Sequence, residues 1–284
     1  MCRFLAYIGK KEATLGDIIA KPENSLISQS RSAREGLHVL NADGFGVGWY
    51  NQKTGPEPGV FKSVQPAWNN QNLKHLVDKV QSTCFLAHVR ASTVGYVNTF
   101  NCHPFQYKNY SFVHNGTIHG FDVIRRSLLG SLGMDYFSNI KGQTDSEYFF
   151  SLVMNILHQT PPPHSINQMA SALSEAIHEI DRLRKVLNDK NYSVLNLVLT
   201  DGKKMVVSRY LSDLSLEPFS LYYMLGKPSD SGSSRLFVPS DTDTQAVVVA
   251  SERLTECVER WEEVPVNHLL LIDEDLKVST RSID

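Results

Sequence analysis

Two helical stretches sit back to back in the middle of the chain, and strand-like runs flank them on both sides. Thr144-Asp145-Ser146-Glu147 has the T-x-x-E spacing of a capping box, with Phe149, Leu152, Val153 and Ile156 following at helical intervals. That predicts a helix starting at Asp145. Residues 158–165, with their run of prolines, break it. A second helix over 166–187 then places Ile166, Met169, Ala170, Leu173, Ile177, Ile180 and Leu187 on one face.

Before the helices, Cys2 to Ile8 is short and apolar and reads as a buried strand bounded by Gly9. Short helices are expected over 14–20 and 24–31, and another over 70–80, where Leu73, Leu76, Val77 and Val80 keep helical spacing. Leu40 to Tyr50 is a glycine-rich turn running into a strand; it lacks the GxGxxG spacing of a dinucleotide site. Residues 84–90 and 110–114 read as strands. After the helices, 194–200 and 204–210 flank Asp201-Gly202, a hairpin signal, and 219–225, 235–239, 246–250 and 268–273 read as further strands. Residues 228–234 read as a polar surface loop. Strands, then helices, then strands suggest a layered domain with two sheets and helices outside. With no internal repeat and no long linker, one domain over 1–284 is expected.

Charge and cysteines narrow the function. Lys plus Arg is 28 against 30 for Asp plus Glu, a net −2, so there is no global drive toward nucleic acid or anionic membrane. No apolar run approaches the ~18–20 residues that span a bilayer. Cys2, Cys84, Cys102 and Cys257 show no CxxC spacing and no disulfide density, and the first residues lack a signal-peptide pattern. The expected compartment is the cytoplasm.

Several residues stand out chemically, each with an ordinary structural explanation beside the functional one. Removal of Met1 would leave Cys2 with a thiol and a free α-amine, nucleophile and base on one residue. The commoner fate of such a cysteine is burial at the start of a strand. Arg90 ends an apolar strand, where it needs a partner: a carboxylate of the substrate or one of the protein's own. Asn115-Gly116 most simply reads as a turn, yet could present two N–H donors to an oxyanion. Asp145 suits a helix start with or without a substrate ammonium to bind. His88, His103, His114 and His119 fall close together, but without HExxH or neighbouring carboxylates they read as core or supporting histidines rather than as metal ligands.

Taken in order, Cys2, N-A-D-G-F-G at 41–46, A-H-V-R-A-S-T at 87–93, N-C-H-P-F at 101–105, H-N-G at 114–116 and T-D-S-E at 144–147 resemble the class II glutamine amidotransferase domain, an N-terminal-nucleophile hydrolase. The resemblance covers roughly the first 200 residues. It looks closest to the short stand-alone members: the ergothioneine-pathway γ-glutamyl hydrolase, the YafJ-type proteins and the fungal glutathione-degrading subunit. It implies an α+β fold, a four-layer αββα sandwich of two antiparallel sheets. It implies Cys2 as nucleophile, Asn115 and Gly116 as oxyanion hole, Arg90 on the α-carboxylate and Asp145 on the α-ammonium of a glutamyl group. His103 matches a histidine near the pocket, and Asp43 and Gly44 match a supporting segment.

The reaction implied is cleavage of a γ-glutamyl amide through a cysteine thioester, with no cofactor and no metal. The partner implied is a small γ-glutamyl substrate, with a homo-oligomer or a separate ammonia-accepting subunit left open. A non-catalytic binding role is the alternative. Ala91 replaces the Trp that aminosugar synthases carry after the arginine, which would widen the pocket toward the leaving group. Loops 63–70, with Trp68, and 94–100, with Tyr96, are candidates for selecting that group.

Overall fold

The computed structural model describes residues 2–35, 39–92, 95–228, 237–239 and 244–283. In chain order the strands are β1 (Arg3–Thr14), β2 (Phe45–Trp49), β3 (Gly59–Ser63), β4 (Gln81–Val89), β5 (Phe105–Tyr107), β6 (Tyr110–Ile118), β7 (Ser193–Thr200), β8 (Met205–Arg209), β9 (Tyr222–Pro228), β10 (Phe237–Pro239), β11 (Ala246–Ala250), β12 (Glu262–Glu263), β13 (His268–Ile272) and β14 (Val278–Ser282). The helices are α1 (Leu15–Ile19), α2 (Leu26–Arg31), α3 (Gln71–Val77), α4 (Phe121–Ser131), α5 (Met134–Asn139), α6 (Asp145–Leu157) and α7 (Ile166–Val186).

The strands form two antiparallel sheets. The first has the order β10-β9-β11-β1-β4-β2-β3, with β12 also on β9; the second has the order β14-β13-β8-β7-β6-β5. Period-2 alternation makes three apolar layers from them. Phe85, Ala87 and Val89 of β4 face outward with Leu5, Tyr7 and Val248, under Leu15, Ile18, Leu26 and Leu73 of α1, α2 and α3. Cys84 and Leu86 face inward with Phe4, Ala6, Val113, Val198, Val207 and Val247, filling the space between the sheets. On the second sheet's outer face, Phe112, Leu195 and Leu197 pack beneath Phe149, Val153, Met169, Leu173 and Ile177 of α6 and α7. The molecule is therefore an αββα sandwich, as the resemblance implies. Helix α7 buries a continuous stripe and is closed by a reciprocal Ser165–Gln168 capping box.

Several local expectations are corrected. Strand β1 does not stop at Gly9 but runs on to Thr14, its register with β4 shifting between Ile8 and Ala13. Asn115-Gly116 is not a turn: both residues lie inside β6, opposite Asn196 and Leu195 of β7. The capping box at α6 is only half made. Thr144 Oγ1 accepts the Glu147 N–H at 3.3 Å. The Glu147 carboxylate instead accepts the N–H groups of Lys141 and Gly142, at 2.8 and 2.7 Å. Strand β3, helices α4 and α5, and strand β14 carry no clear pattern in the sequence. The loop expected at 228–234 begins in β9, and its residues 229–234 lie outside the described residues, as does Thr93. Among the described residues no helix is long and apolar enough to cross a membrane.

Candidate active site

Cys2 stands at the head of β1, which lies between β11 and β4 in the first sheet. Because Arg3 pairs with Val89, Cys2 falls beside the chain just leaving β4. Its Sγ lies 3.3 Å from the Ala91 carbonyl oxygen and 3.4 Å from the Ala91 nitrogen, whose N–H it accepts. Burial pushes the thiol pKa up, while the Ala91 N–H and the positive charges of Arg90 and Arg3 pull it down. The thiol therefore needs a base close at hand to become a thiolate.

The Asp43-Gly44 segment brackets the same turn. The Asp43 N–H donates to the Arg90 carbonyl at 2.9 Å, and the Arg90 N–H to the Gly44 carbonyl at 2.8 Å. Asp43 Oδ2 accepts the Ser92 N–H at 2.7 Å. Gly44 has φ +113°, and a Cβ there would lie 2.7 Å from Cys102 Sγ. Along β2, a Cβ at Gly46 would overlap the His103 carbonyl oxygen, and one at Gly48 would lie 2.8 Å from the Pro104 ring. The glycines thus let the Asn101–Phe105 segment lie flat on β2, so two of the sequence motifs are faces of one contact.

Arg90 is buried and points its guanidinium at the next loop, donating to the carbonyls of Tyr96 at 3.3 Å and Gly95 at 3.5 Å. Asn101 ties that loop to the start of α6. Its Nδ2 donates to the Tyr96 carbonyl at 2.8 Å, and its Oδ1 accepts the Gln143 N–H at 2.8 Å. Two residues later comes Asp145, buried in the first turn of α6. Its Oδ2 accepts the Ile118 N–H at 2.7 Å, and its Oδ1 the Ser146 N–H at 2.8 Å. The carboxylate is thereby held against the end of β6, two residues past Gly116. Gly116 itself admits no side chain, since a Cβ would overlap the Val194 carbonyl oxygen.

Asn115 reaches across the inter-sheet space. Its Nδ2 lies 3.3 Å from Ser251 Oγ, which also accepts the Phe4 N–H at 3.0 Å. One hydroxyl therefore links Asn115 to the second residue after Cys2. Next to it, Glu252 is fully buried and pairs with Arg3 Nε at 2.5 Å. Arg3 Nη1 in turn donates to the Cys2 carbonyl at 2.9 Å. Ser251-Glu252, just past β11, thus holds the head of β1 in place. Sequence reasoning missed both; the only signal was two polar residues directly after an apolar strand.

The histidines form a buried layer behind Arg90. His88 Nε2 donates to the His114 carbonyl at 3.1 Å. His114 Nε2 donates to the Val194 carbonyl at 3.0 Å, leaving Nδ1 to accept from the Ser146 hydroxyl at 2.8 Å. The His103 ring lies tilted against His88 at 4.1 Å and edge-on to Phe105 at 4.5 Å between centroids, and neither of its ring nitrogens has a hydrogen-bond partner among the described residues. Burial holds His88 neutral, its pKa pushed down to about 3. Burial likewise lowers His103, with neighbouring His88 adding to the effect, and lowers His114 despite the nearby Asp145. Neutral, shielded imidazoles serve as packing and orientation groups. Among the described residues no three His, Cys, Asp or Glu side chains converge as a metal site.

The structure brings Cys2, Arg90, Asn115, Gly116 and Asp145 to one end of the sandwich and sets His103 beneath them. A cavity of about 410 Å³ abuts this end, lined by Arg3, Asn115, Tyr192, Leu216, Glu217 and Phe219 among others. Of the two loops named for selectivity, the described part of 94–100 carries the Arg90 acceptors and leaves Tyr96 79% exposed.

A family model described as glutamine amidotransferases class-II matches residues 19–282, and the chain belongs to that family. It is 37% identical over 295 residues to the probable glutamine amidotransferase DUG3 of Saccharomyces cerevisiae, covering 96% of this chain and 82% of the relative. It is 32% identical over 120 residues to the gamma-glutamyl-hercynylcysteine sulfoxide hydrolase of Mycobacterium tuberculosis, covering 42% of this chain and 50% of that protein. Among solved structures, a glutamine aminotransferase class-II domain protein from Silicibacter pomeroyi superposes with TM-score 0.67 at 26% identity, covering 99% of each chain.

Proposed function

We propose that this protein hydrolyses a γ-glutamyl amide bond through a thioester on Cys2, releasing glutamate. The observation that carries the reading is the convergence at the head of β1. Cys2 Sγ touches the Arg90-Ala91 turn on one side, and on the other Ser251 links Phe4 to Asn115. The relatives support the reaction class, since one is named a probable glutamine amidotransferase and another a gamma-glutamyl-hercynylcysteine sulfoxide hydrolase.

The chemistry follows from the groups present. Removal of Met1 leaves the Cys2 α-amine free, with an ordinary pKa of ~7.7–8.0. Arg90 binds the substrate α-carboxylate and Asp145 its α-ammonium, which fixes the far end of the chain and brings the γ-carbonyl to Cys2. The amine takes the thiol proton, and sulfur attacks the carbonyl carbon. The negative oxygen is held by N–H groups of Asn115 and Gly116. The C–N bond breaks as the ammonium returns its proton to the leaving amine, and a γ-glutamyl thioester remains. Water then attacks the thioester, the amine accepts its proton, and glutamate and the thiol are regenerated. The 410 Å³ cavity beside Asn115 is the room into which the leaving group extends.

The test is glutamate release by Met1-processed protein from glutamine, glutathione and a γ-glutamyl sulfoxide, with Cys2→Ala beside each. Release from at least one compound, abolished in Cys2→Ala with the melting temperature unchanged, is expected. Full activity in that variant would overturn the mechanism.

A further inference from the structure

We propose that Ser251 is a positioning residue that sets the orientation of the Asn115 amide, and through it the oxyanion hole; this rests on the role given to Asn115 above. Ser251 is buried immediately after β11. Its own N–H donates to the Phe4 carbonyl at 3.1 Å, and its carbonyl accepts the Ser220 hydroxyl at 2.8 Å, so its backbone is held from both sides. Its Oγ accepts the Phe4 N–H at 3.0 Å and faces Asn115 Nδ2 at 3.3 Å.

The hydrogen-bond inventory of this pair is incomplete in a specific way. A serine hydroxyl has one proton and two acceptor sites, and an asparagine amide has two N–H donors and one accepting oxygen. Both Ser251 acceptor sites are filled by N–H groups, while its proton has no acceptor among the described residues. Asn115 Oδ1 is buried and likewise has no partner among them. Two complementary groups thus lie side by side, each lacking what the other offers, and a buried group so left is destabilising.

A half-turn of the Asn115 amide resolves both deficits. The Ser251 O–H then donates to Oδ1, with the hydroxyl still anchored by Phe4, and Nδ2 is released from Ser251 as a donor for the substrate. In the observed arrangement Nδ2 faces Ser251; in the turned one Oδ1 faces Ser251 and Nδ2 takes the buried position now held by Oδ1. Apart from the amide, only the Ser251 hydroxyl hydrogen has to rotate. Because Ser251 is bonded to the second residue after Cys2, nucleophile and oxyanion donor are referenced to the same strand.

The test is a double-mutant cycle in the Met1-processed full chain. Its two readouts are glutamate release from whichever of glutamine, glutathione and the γ-glutamyl sulfoxide the wild-type protein hydrolyses and binding of glutamate γ-semialdehyde, whose adduct with Cys2 carries the oxyanion. Asn115→Ala is expected to lower kcat by about 10²–10³-fold, the usual loss for one oxyanion donor. Ser251→Ala should lower kcat by at least about 10-fold with KM changed less than about 3-fold, weaken the aldehyde by a similar factor, and recover in Ser251→Thr. The decisive arm is Ser251→Ala added to Asn115→Ala, which should lower kcat no further. A merely structural serine would lower kcat additively, and that result overturns the proposal. If Asn115→Ala is impaired and Ser251→Ala is not, the positioning role alone fails. If Asn115→Ala is unimpaired, or wild-type protein neither turns over nor binds the aldehyde, the reading of the site fails and this proposal with it.

Discussion

The two ends of the inter-sheet layer are built from the same strands but follow different rules. At one end, the head of β1 meets β4, β6 and β11 around Cys2, His88, Asn115 and Ser251. Buried polar atoms without partners among the described residues gather there: Asn115 Oδ1, His88 Nδ1 and both nitrogens of His103. Toward the other end, buried polar groups are mostly matched, with Ser111 Oγ the exception. The Tyr50 hydroxyl lies 2.9 Å from the Asn109 carbonyl and 3.2 Å from that of Thr200, the Ser82 hydroxyl donates to the Tyr50 carbonyl at 2.7 Å, and Thr200 Oγ1 donates to the Lys204 carbonyl at 2.7 Å. Leu86, Val113, Val198 and Val207 separate the two ends. Orphaned buried polar groups are costly; others occur elsewhere, as at Gln29 Oε1 and Ser174 Oγ, so it is these four atoms together with Cys2 that single out this end.

The comparison is broken most severely by removing a charge from the working end. Glu252→Gln leaves Arg3 buried beside an uncharged amide, and a loss of about 3–5 kcal/mol in urea unfolding is expected. A loss below about 1 kcal/mol would show that the pair does not hold the head of β1. Arg90→Met and Asp145→Asn are expected to raise KM for a γ-glutamyl substrate by roughly 10–100-fold each, the range for hydrogen bonds to charged groups, with a smaller change in kcat. Steady-state kinetics with kcat reduced and KM unmoved would place these groups elsewhere in the mechanism.

Acid titration sharpens the contrast further. The buried imidazoles stay neutral in the folded state, His88 down to about pH 3, whereas in the unfolded chain they take up protons near pH 6.5. Below pH 6.5 the unfolded state therefore binds more protons, and stability falls as pH falls, by about 1.4 kcal/mol per pH unit for each such group. His103→Gln should flatten the slope of unfolding free energy between pH 6.5 and 5 by about one such increment; an unchanged slope would show that His103 does not stay neutral. The smallest effect is expected at the matched end. Tyr50→Phe should cost about 1 kcal/mol of stability, leaving the Asn109 and Thr200 carbonyls short of a donor, with kcat/KM unchanged. A change in kcat/KM there would mean the two ends are coupled.

Much of this was legible in the residues, for reasons that differ from element to element. Helix α7 was readable because one amphipathic stripe of 21 residues repeats the same local rule many times. Helices α4 and α5 were not, because short helices without a strong stripe take their stability from packing on neighbours. Asn115-Gly116 was misread as a turn, since local preference favours bending at Asn-Gly while pairing with β7 holds the chain extended. The glycines of β2 were visible as a motif, but their purpose, clearance for the His103-Pro104 backbone, depends on a segment more than fifty residues away.

The sequence by itself determined the family and the layered α+β architecture, and it pointed to the five residues proposed for the site, because the chemistry proposed needs particular residue types in a particular order. Only the tertiary structure decided which unpatterned residues hold them. Ser251 and Glu252 gain their importance from β11 lying beside β1 in the sheet, and His103 is buried with its ring against His88. Chemical identity is written locally. A supporting hydrogen bond between residues 115 and 251 exists only once the sheets have closed on one another.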